Sequence, residues 1–183
     1  EVSCTNLQLS MAYSAIANGG YLLRPKIVNQ VMGQNGKIKK NNNSKVLRRV
    51  ASLETMETLK SVLVKTVKMG TGSSAEIPGR NIAGKTGTAE KFINGSYSET
   101  KFISNFVGFF PAEKPILLGV ILIDEPKSGF HWGSTGAAPV FRKVAERIIN
   151  MDDSYQHKHE PKDNSHENKL WASNKKYISK KIQ

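Results

Sequence analysis

Cysteine is almost absent: Cys4 is the only one. No internal disulfide can form, and cysteine usage does not report the redox compartment. Long apolar runs are missing too. No stretch reaches the ~18 residues of a membrane-spanning helix, and there is no secretory leader. The chain opens on Glu1 rather than methionine, directly before a helix pattern. We therefore expect a piece of a longer protein, whose location the missing signals do not decide. Acidic residues are scarce, 15 against 27 Lys and Arg, for a formal net charge of +12. That surplus permits contact with nucleic acid, anionic lipid or an acidic polymer without choosing among them. Arginine clusters with interleaved aromatics are lacking, which argues against nucleic acid and for a lysine-rich solvated surface.

Specific metal-ligand spacing is lacking as well. His157, His159 and His166 lie in a polar stretch with no ligand pattern, and Asp124 and Glu125 have no companion ligands. No internal repeat is visible. What remains is a chain of 183 residues, enough for one ordinary domain. About 150 residues can bury roughly 68–70% of their unfolded surface, so a single core is feasible.

Thr5 to Ala17 reads as a helix, with Thr5 and Gln8 in the capping-box arrangement and Asn18-Gly19-Gly20 as its stop. Leu9, Ala12, Tyr13 and Ile16 share one face of it. Tyr21 to Met32 reads as extended, Asn35-Gly36 as a turn, and the polar Lys/Asn stretch between Ile38 and Val46 as a loop. A second helix runs from the cap Ser52 to Lys68, with Met56, Leu59, Leu63 and Val67 as its apolar stripe. Strands are expected at 82–91, 102–110 and 116–123, and their short connections favour an antiparallel meander. A last helix starts at Pro139 and turns Val140, Phe141, Val144, Ala145 and Ile148 inward. The domain spans residues 1–150, and the polar stretch 151–183 reads as a disordered tail.

The stretch Gly79–Glu90, GRNIAGKTGTAE, has two incompatible readings. From Gly79 to Thr86 it matches G-x-x-x-x-G-K-[ST], a phosphate-cradling loop, with Asp124 after an apolar strand as a magnesium-holding acid. That loop must follow a buried strand and open a helix whose amides face the phosphates. Gly-Ser-Ser-Ala-Glu-Ile-Pro precedes it instead, and Gly87 and Asn94-Gly95 oppose a helix after it. From Lys85 the same residues read K-T-G-T on a strand. Thr86 and Thr88 then project to one side and Lys85 to the other, while Gly87 admits close approach of a ligand backbone. Two hydroxyls and an ammonium suit an extended peptide with a carboxylate end, added along a sheet edge. An ordinary polar edge strand explains these residues equally well.

Four blocks tip the balance. IAGKTGTAEK (Ile82–Lys91), SNFVGFFPA (Ser104–Ala112), VILIDEP (Val120–Pro126) and AAPVFRKVAERII (Ala137–Ile149) resemble the C-terminal half of class B penicillin-binding proteins, most of all the division-type peptidoglycan D,D-transpeptidases. VSCTNLQLSMAYSAIANGGYLLRP (Val2–Pro25) resembles the helix after that family's second motif, and GTGSSA (Gly70–Ala75) the loop before its third. The resemblance runs from about Val2 to Asn150. It implies an α+β fold with an antiparallel sheet flanked by helices, the C-terminal portion of the penicillin-binding and serine β-lactamase-like transpeptidase fold.

The resemblance also implies a serine acyl-enzyme that cross-links stem peptides ending in D-Ala-D-Ala, in septal wall synthesis, and that β-lactams acylate. Thr86 and Thr88 would bind the substrate carboxylate and Gly87 would lie against the ligand. The Thr88 backbone N–H would be one oxyanion donor, and Lys85 would join the proton network. No metal or cofactor is implied. The implied partners are peptidoglycan stem peptides, β-lactams and other cell-wall synthesis and division proteins. The implied location is the inner membrane, with this domain on the periplasmic side.

The family's signature is S-x-x-K, then S-x-N, then K-T-G. Only the third is in place, and S-x-N occurs nowhere in the chain. Ser98–Lys101 and Ser173–Lys176 match S-x-x-K on paper. About two such matches arise by chance at this lysine content, and both follow the K-T-G strand, one in a loop and one in the tail, so they are decoys. The nucleophile serine and its lysine are thus expected outside this chain, which alone should be inactive. A non-catalytic binding module is the other alternative besides the phosphate loop. His131 and Trp132 lie where relatives carry a Tyr- and Gly-rich loop; loop packing is favoured there over a role in substrate access. Arg80 reads as surface charge.

Overall fold

The computed structural model describes residues 3–127 and 129–151. Apart from Met151, the expected tail lies outside the described residues, together with His157, His159, His166 and Ser173–Lys176.

Helix α1 spans Asn6–Ala17 and carries the expected capping box. The Gln8 amide donates to Thr5 Oγ1 at 3.2 Å, and the Thr5 amide donates to Gln8 Oε1 at 2.8 Å. Two donors that a helix start leaves orphaned are thereby satisfied. The chain leaves the helix through Gly19 and Gly20, both at positive φ.

Four short strands follow: β1 (Tyr21–Leu23), β2 (Gln30–Met32), β3 (Ile38–Asn41) and β4 (Val46–Arg49). β2 and β3 form a hairpin around Asn35-Gly36, and β1 pairs with β4. The Lys/Asn stretch is therefore partly strand, not all loop as its composition suggests. Cross-strand pairing overrides the low strand preference of Lys and Asn, since that preference largely reflects packing context.

Helix α2 spans Leu53–Met69, and the Ser52 hydroxyl caps it by accepting the Thr55 amide at 3.1 Å. Its buried positions are Met56, Lys60, Leu63 and Val67, while the expected Leu59 stays exposed. Lys60 buries its methylene stem and keeps its ammonium on Glu57 at 2.7 Å. A 3₁₀ turn at Ser73–Ala75 follows.

The central sheet is the expected meander of β5 (Ala83–Ile93), β6 (Ser96–Phe110) and β7 (Leu117–Asp124), antiparallel and in chain order. Asn94 and Gly95 both take positive φ, the geometry of a two-residue hairpin turn matched to strand twist. This turn lets β6 begin at Ser96, six residues before the expected Phe102, so Ser98–Lys101 lies in a strand and not in a loop.

Helix α3 spans Ala137–Met151, with Pro139 in its first turn rather than at its start. Ala137, Ala138, Phe141, Ala145 and Ile149 are its buried residues. Val140 and Val144 remain exposed, so the apolar face is rotated from the expected one. The aromatic ring sets that rotation: Phe141 packs between Phe106 and Phe110 at 4.8 and 6.1 Å between centroids. Side chains alternate across β6. Phe106 and Phe110 meet α3, while Phe109 meets Leu63 and Tyr13 of α2 and α1. The sheet is thus covered by α3 on one face and by α1 and α2 on the other, the expected α+β arrangement of an antiparallel sheet flanked by helices.

Candidate active site

Lys85, Thr86, Gly87 and Thr88 lie in the first half of β5, opposite Val107, Phe106, Asn105 and Ser104 of β6. Among the described residues β5 pairs with β6 alone and is an edge of the sheet. No helix opens after Lys85, and 3₁₀ turn and loop, not a buried strand, precede Gly79. The phosphate-loop alternative fails on both counts.

The open edge is polar by construction. In a strand, a residue's N–H and C=O point the same way, and successive residues alternate. The Lys85 ammonium donates to the Thr86 carbonyl at 2.9 Å, which turns that carbonyl away from β6. By the same alternation the Thr88 N–H and C=O face the open edge, and Gly87 faces Asn105. Lys85 Nζ also reaches Thr86 Oγ1 at 3.3 Å, so the lysine, expected on the opposite side, bends back to the hydroxyl.

Two loops hold the threonines. The Thr86 hydroxyl donates to Thr71 Oγ1 at 2.9 Å, from the loop after α2. The Thr88 hydroxyl accepts the Gly133 amide at 3.1 Å, from the loop before α3. Gly133 sits so tightly that a β-carbon there would be 2.5 Å from the Asn105 carbonyl oxygen and 2.7 Å from that of Gly87. The loop folds around the Trp132 carbonyl, which accepts the Gly136 amide at 2.8 Å and the fully buried Ser104 hydroxyl at 3.1 Å. His131 packs between Phe102 and Trp132, 4.9 Å from each ring centroid.

The remaining sequence candidates lie elsewhere. Asp124 and Glu125 pair with Lys91 at 2.9 and 2.8 Å, and no metal-binding cluster occurs among the described residues. Hydrogen bonds from Lys91 hold the Glu125 carboxyl below its usual range, and Glu125 and Asp124 raise the Lys91 ammonium in return. A groove of about 390 Å³ between β7 and α3 is lined by Ile123, Phe130 and Val140 and includes none of Lys85–Thr88. Among the described residues no helix is long and apolar enough to cross a membrane. Thr71, Ser104 and Gly133 were not singled out from sequence. Thr71 stands between two glycines and Gly133 in a glycine-rich loop, but their contacts span 15 and 45 positions of chain, and spacing alone does not show them.

Residues 2–146 match the model of the penicillin-binding protein transpeptidase domain. The chain belongs to this family. Its relatives are class B members. It is 32% identical over 146 residues to the probable peptidoglycan D,D-transpeptidase PenA of Neisseria meningitidis, covering 79% of this chain and 23% of that protein. It is 34% identical over 163 residues to the peptidoglycan D,D-transpeptidase FtsI homolog of Mesostigma viride, covering 82% and 27%. Among solved structures, penicillin-binding protein 3 of Mycobacterium tuberculosis, complexed with aztreonam, superimposes with a TM-score of 0.74 at 28% identity, over 88% of this chain and 37% of that one. This transpeptidase-domain chain therefore spans about a quarter of the length of the curated relatives it matches.

Proposed function

We propose that this chain is the K-T-G half of a serine D,D-transpeptidase that cross-links peptidoglycan stem peptides, and that its parent serves septal wall synthesis. The observation that carries this reading is the Lys85–Thr88 segment on an open sheet edge, with the Thr88 amide facing outward. A stem peptide ending in D-Ala-D-Ala would lie antiparallel to β5. The Thr86 and Thr88 hydroxyls would receive its terminal carboxylate, and Gly87 would let its backbone approach. The Thr88 N–H would donate to the oxyanion formed as a serine attacks the penultimate carbonyl. One such donor is typically worth about 10²–10³ in rate. Lys85 would supply positive charge and a proton-network contact beside the serine.

The nucleophile serine and its lysine would come from a segment outside this chain. Losing the nucleophile costs on the order of a millionfold in turnover in a well-studied serine hydrolase, so the chain alone would be inactive. β-Lactams would occupy the same edge as substrate mimics, and other wall-synthesis and division proteins would be partners. The parent would sit in the inner membrane with this domain outside the cytoplasm. Resemblance to division-type members supports the septal assignment.

Labelled-penicillin uptake tests the reading. A parent protein extended upstream should take up label covalently, and the 183-residue chain alone should not. Lys85→Ala in the parent should reduce uptake by orders of magnitude. A parent that took up no label while a control penicillin-binding protein did would leave a non-catalytic module as the better account.

A further inference from the structure

Thr71 lies outside the K-T-G segment, yet it holds one of that segment's hydroxyls. Its position is set by the end of α2. The amides of Gly70 and Gly72, on either side of it, both donate to the Thr66 carbonyl at 3.1 Å. A β-carbon on Gly70 would fall 2.8 Å from that same oxygen. The Gly-Thr-Gly turn is therefore clamped onto the helix end, and its one exposed side chain meets β5. Thr71 Oγ1 receives the Thr86 proton at 2.9 Å while Lys85 Nζ approaches Thr86 Oγ1 at 3.3 Å.

A hydroxyl has one proton and two acceptor lone pairs. In the structure the Thr86 proton is spent on Thr71. A carboxylate only accepts, so Thr86 can bind one only by turning its proton outward. That leaves Thr86 oxygen facing Thr71 oxygen, which is tolerable only if Thr71 turns its own proton inward. Thr71 is exposed and its hydroxyl is free to rotate. The same pair can thus be bonded in both states, with the direction reversed. The contact also favours the χ1 well of Thr86 that points its hydroxyl at Thr71, within the restricted set that β-branching leaves.

From this geometry we infer that Thr71 is a positioning residue for carboxylate recognition, holding the Thr86 hydroxyl in place and taking over as donor when an anionic ligand arrives. The inference rests on the transpeptidase reading above. It concerns ligands with a free carboxylate and does not require Thr71 to touch them.

The test uses the upstream-extended parent and its labelled-penicillin acylation, resolved into a binding constant and an acylation rate constant. Thr71→Val keeps shape and removes the hydroxyl. It should weaken the binding constant about 3- to 10-fold, as expected for one neutral hydrogen bond, with the acylation rate constant nearly unchanged. Thr71→Ser should restore wild-type binding. A β-lactam with its carboxylate esterified should bind wild type and Thr71→Val alike. Equal binding of the free acid by both proteins would overturn the inference. So would failure of serine to rescue, or an equal loss with the ester. Wild-type parent that took up no label would sink the transpeptidase reading instead. The tether would then be judged by the Thr86 χ1 couplings in the same protein, measured by NMR. They should change from one rotamer to an average in Thr71→Val, and unchanged couplings would overturn it.

Discussion

Gly133 donates its amide to the Thr88 hydroxyl at 3.1 Å, and its carbonyl accepts the Ala138 amide at 2.9 Å. A single residue thereby ties the motif strand β5 to the first turn of α3. Because its α-carbon rests on the backbones of Gly87 and Asn105, nothing larger than glycine fits.

Gly133→Ala should therefore be costly. Its β-carbon would meet backbone oxygens at 2.5 and 2.7 Å, which cannot rotate away. Overpacking of this kind typically costs about 1–3 kcal/mol. We expect a lower thermal midpoint, and weaker penicillin uptake in the extended parent than the stability loss alone explains. A variant with wild-type midpoint and uptake would contradict the clamp.

Thr88→Val should separate two roles. The substitution removes the acceptor of the buried Gly133 amide, an unmet donor that costs about 1–3 kcal/mol. Thr88→Ser keeps the acceptor and should lie near wild type in chemical denaturation. The backbone N–H at this position survives both changes, so the acylation rate constant should fall less than ligand binding does.

Phe106→Ala tests the core beneath the site. Phe106 is fully buried, sits directly opposite Thr86, and packs on Phe141 at 4.8 Å. Truncating a buried phenylalanine costs about 3–5 kcal/mol. That is a large share of the roughly 5–15 kcal/mol that stabilises an ordinary domain, and Phe141→Ala should be comparable and non-additive with it. Additive losses in the double variant would show that the two rings do not share one packing unit.

Lys91 and Glu125 predict a pH dependence confined to the far end of the hairpin. Glu125 is depressed first by the Lys91 hydrogen bond, so its contribution is present above its unfolded pKa and disappears as pH falls through the lower folded value. Lys91 is raised by Glu125 and then Asp124, so its contribution holds below its unfolded pKa and disappears as pH rises through the higher folded value. The pair should close the hairpin across the neutral range and release it in strong acid or strong alkali. Amide-exchange protection at 91–93 and 101–103 should fall at the acid end, and Lys91→Met should shrink that acid step to the part that Lys101, 3.6 Å from Glu125, sustains. Asp124 and Glu125 are exposed and Lys91 is partly covered, so added salt should weaken the effect.

Much of this architecture is written locally. Thr5 and Gln8 announce a helix start because both halves of a capping box lie within four residues. Asn94-Gly95 announces a hairpin because only residues tolerant of positive φ make that turn. K-T-G-T could be placed on a strand because the glycines and β-branched residues around it oppose a helix. Each of these preferences acts between chain neighbours, so the order of residues alone determined them. The rotation of α3 and the added strand at Ile38–Asn41 were different. Val140 and Val144 are as apolar as Ile149, and only the docking of Phe141 on β6 decided which of them went inside. The holders of the site, Thr71 for Thr86 and Gly133 for Thr88, likewise belonged to the tertiary structure. Hydrogen bonds reach about 3 Å and are indifferent to chain separation, so partners that folding brings together leave no mark in the spacing of a single sequence.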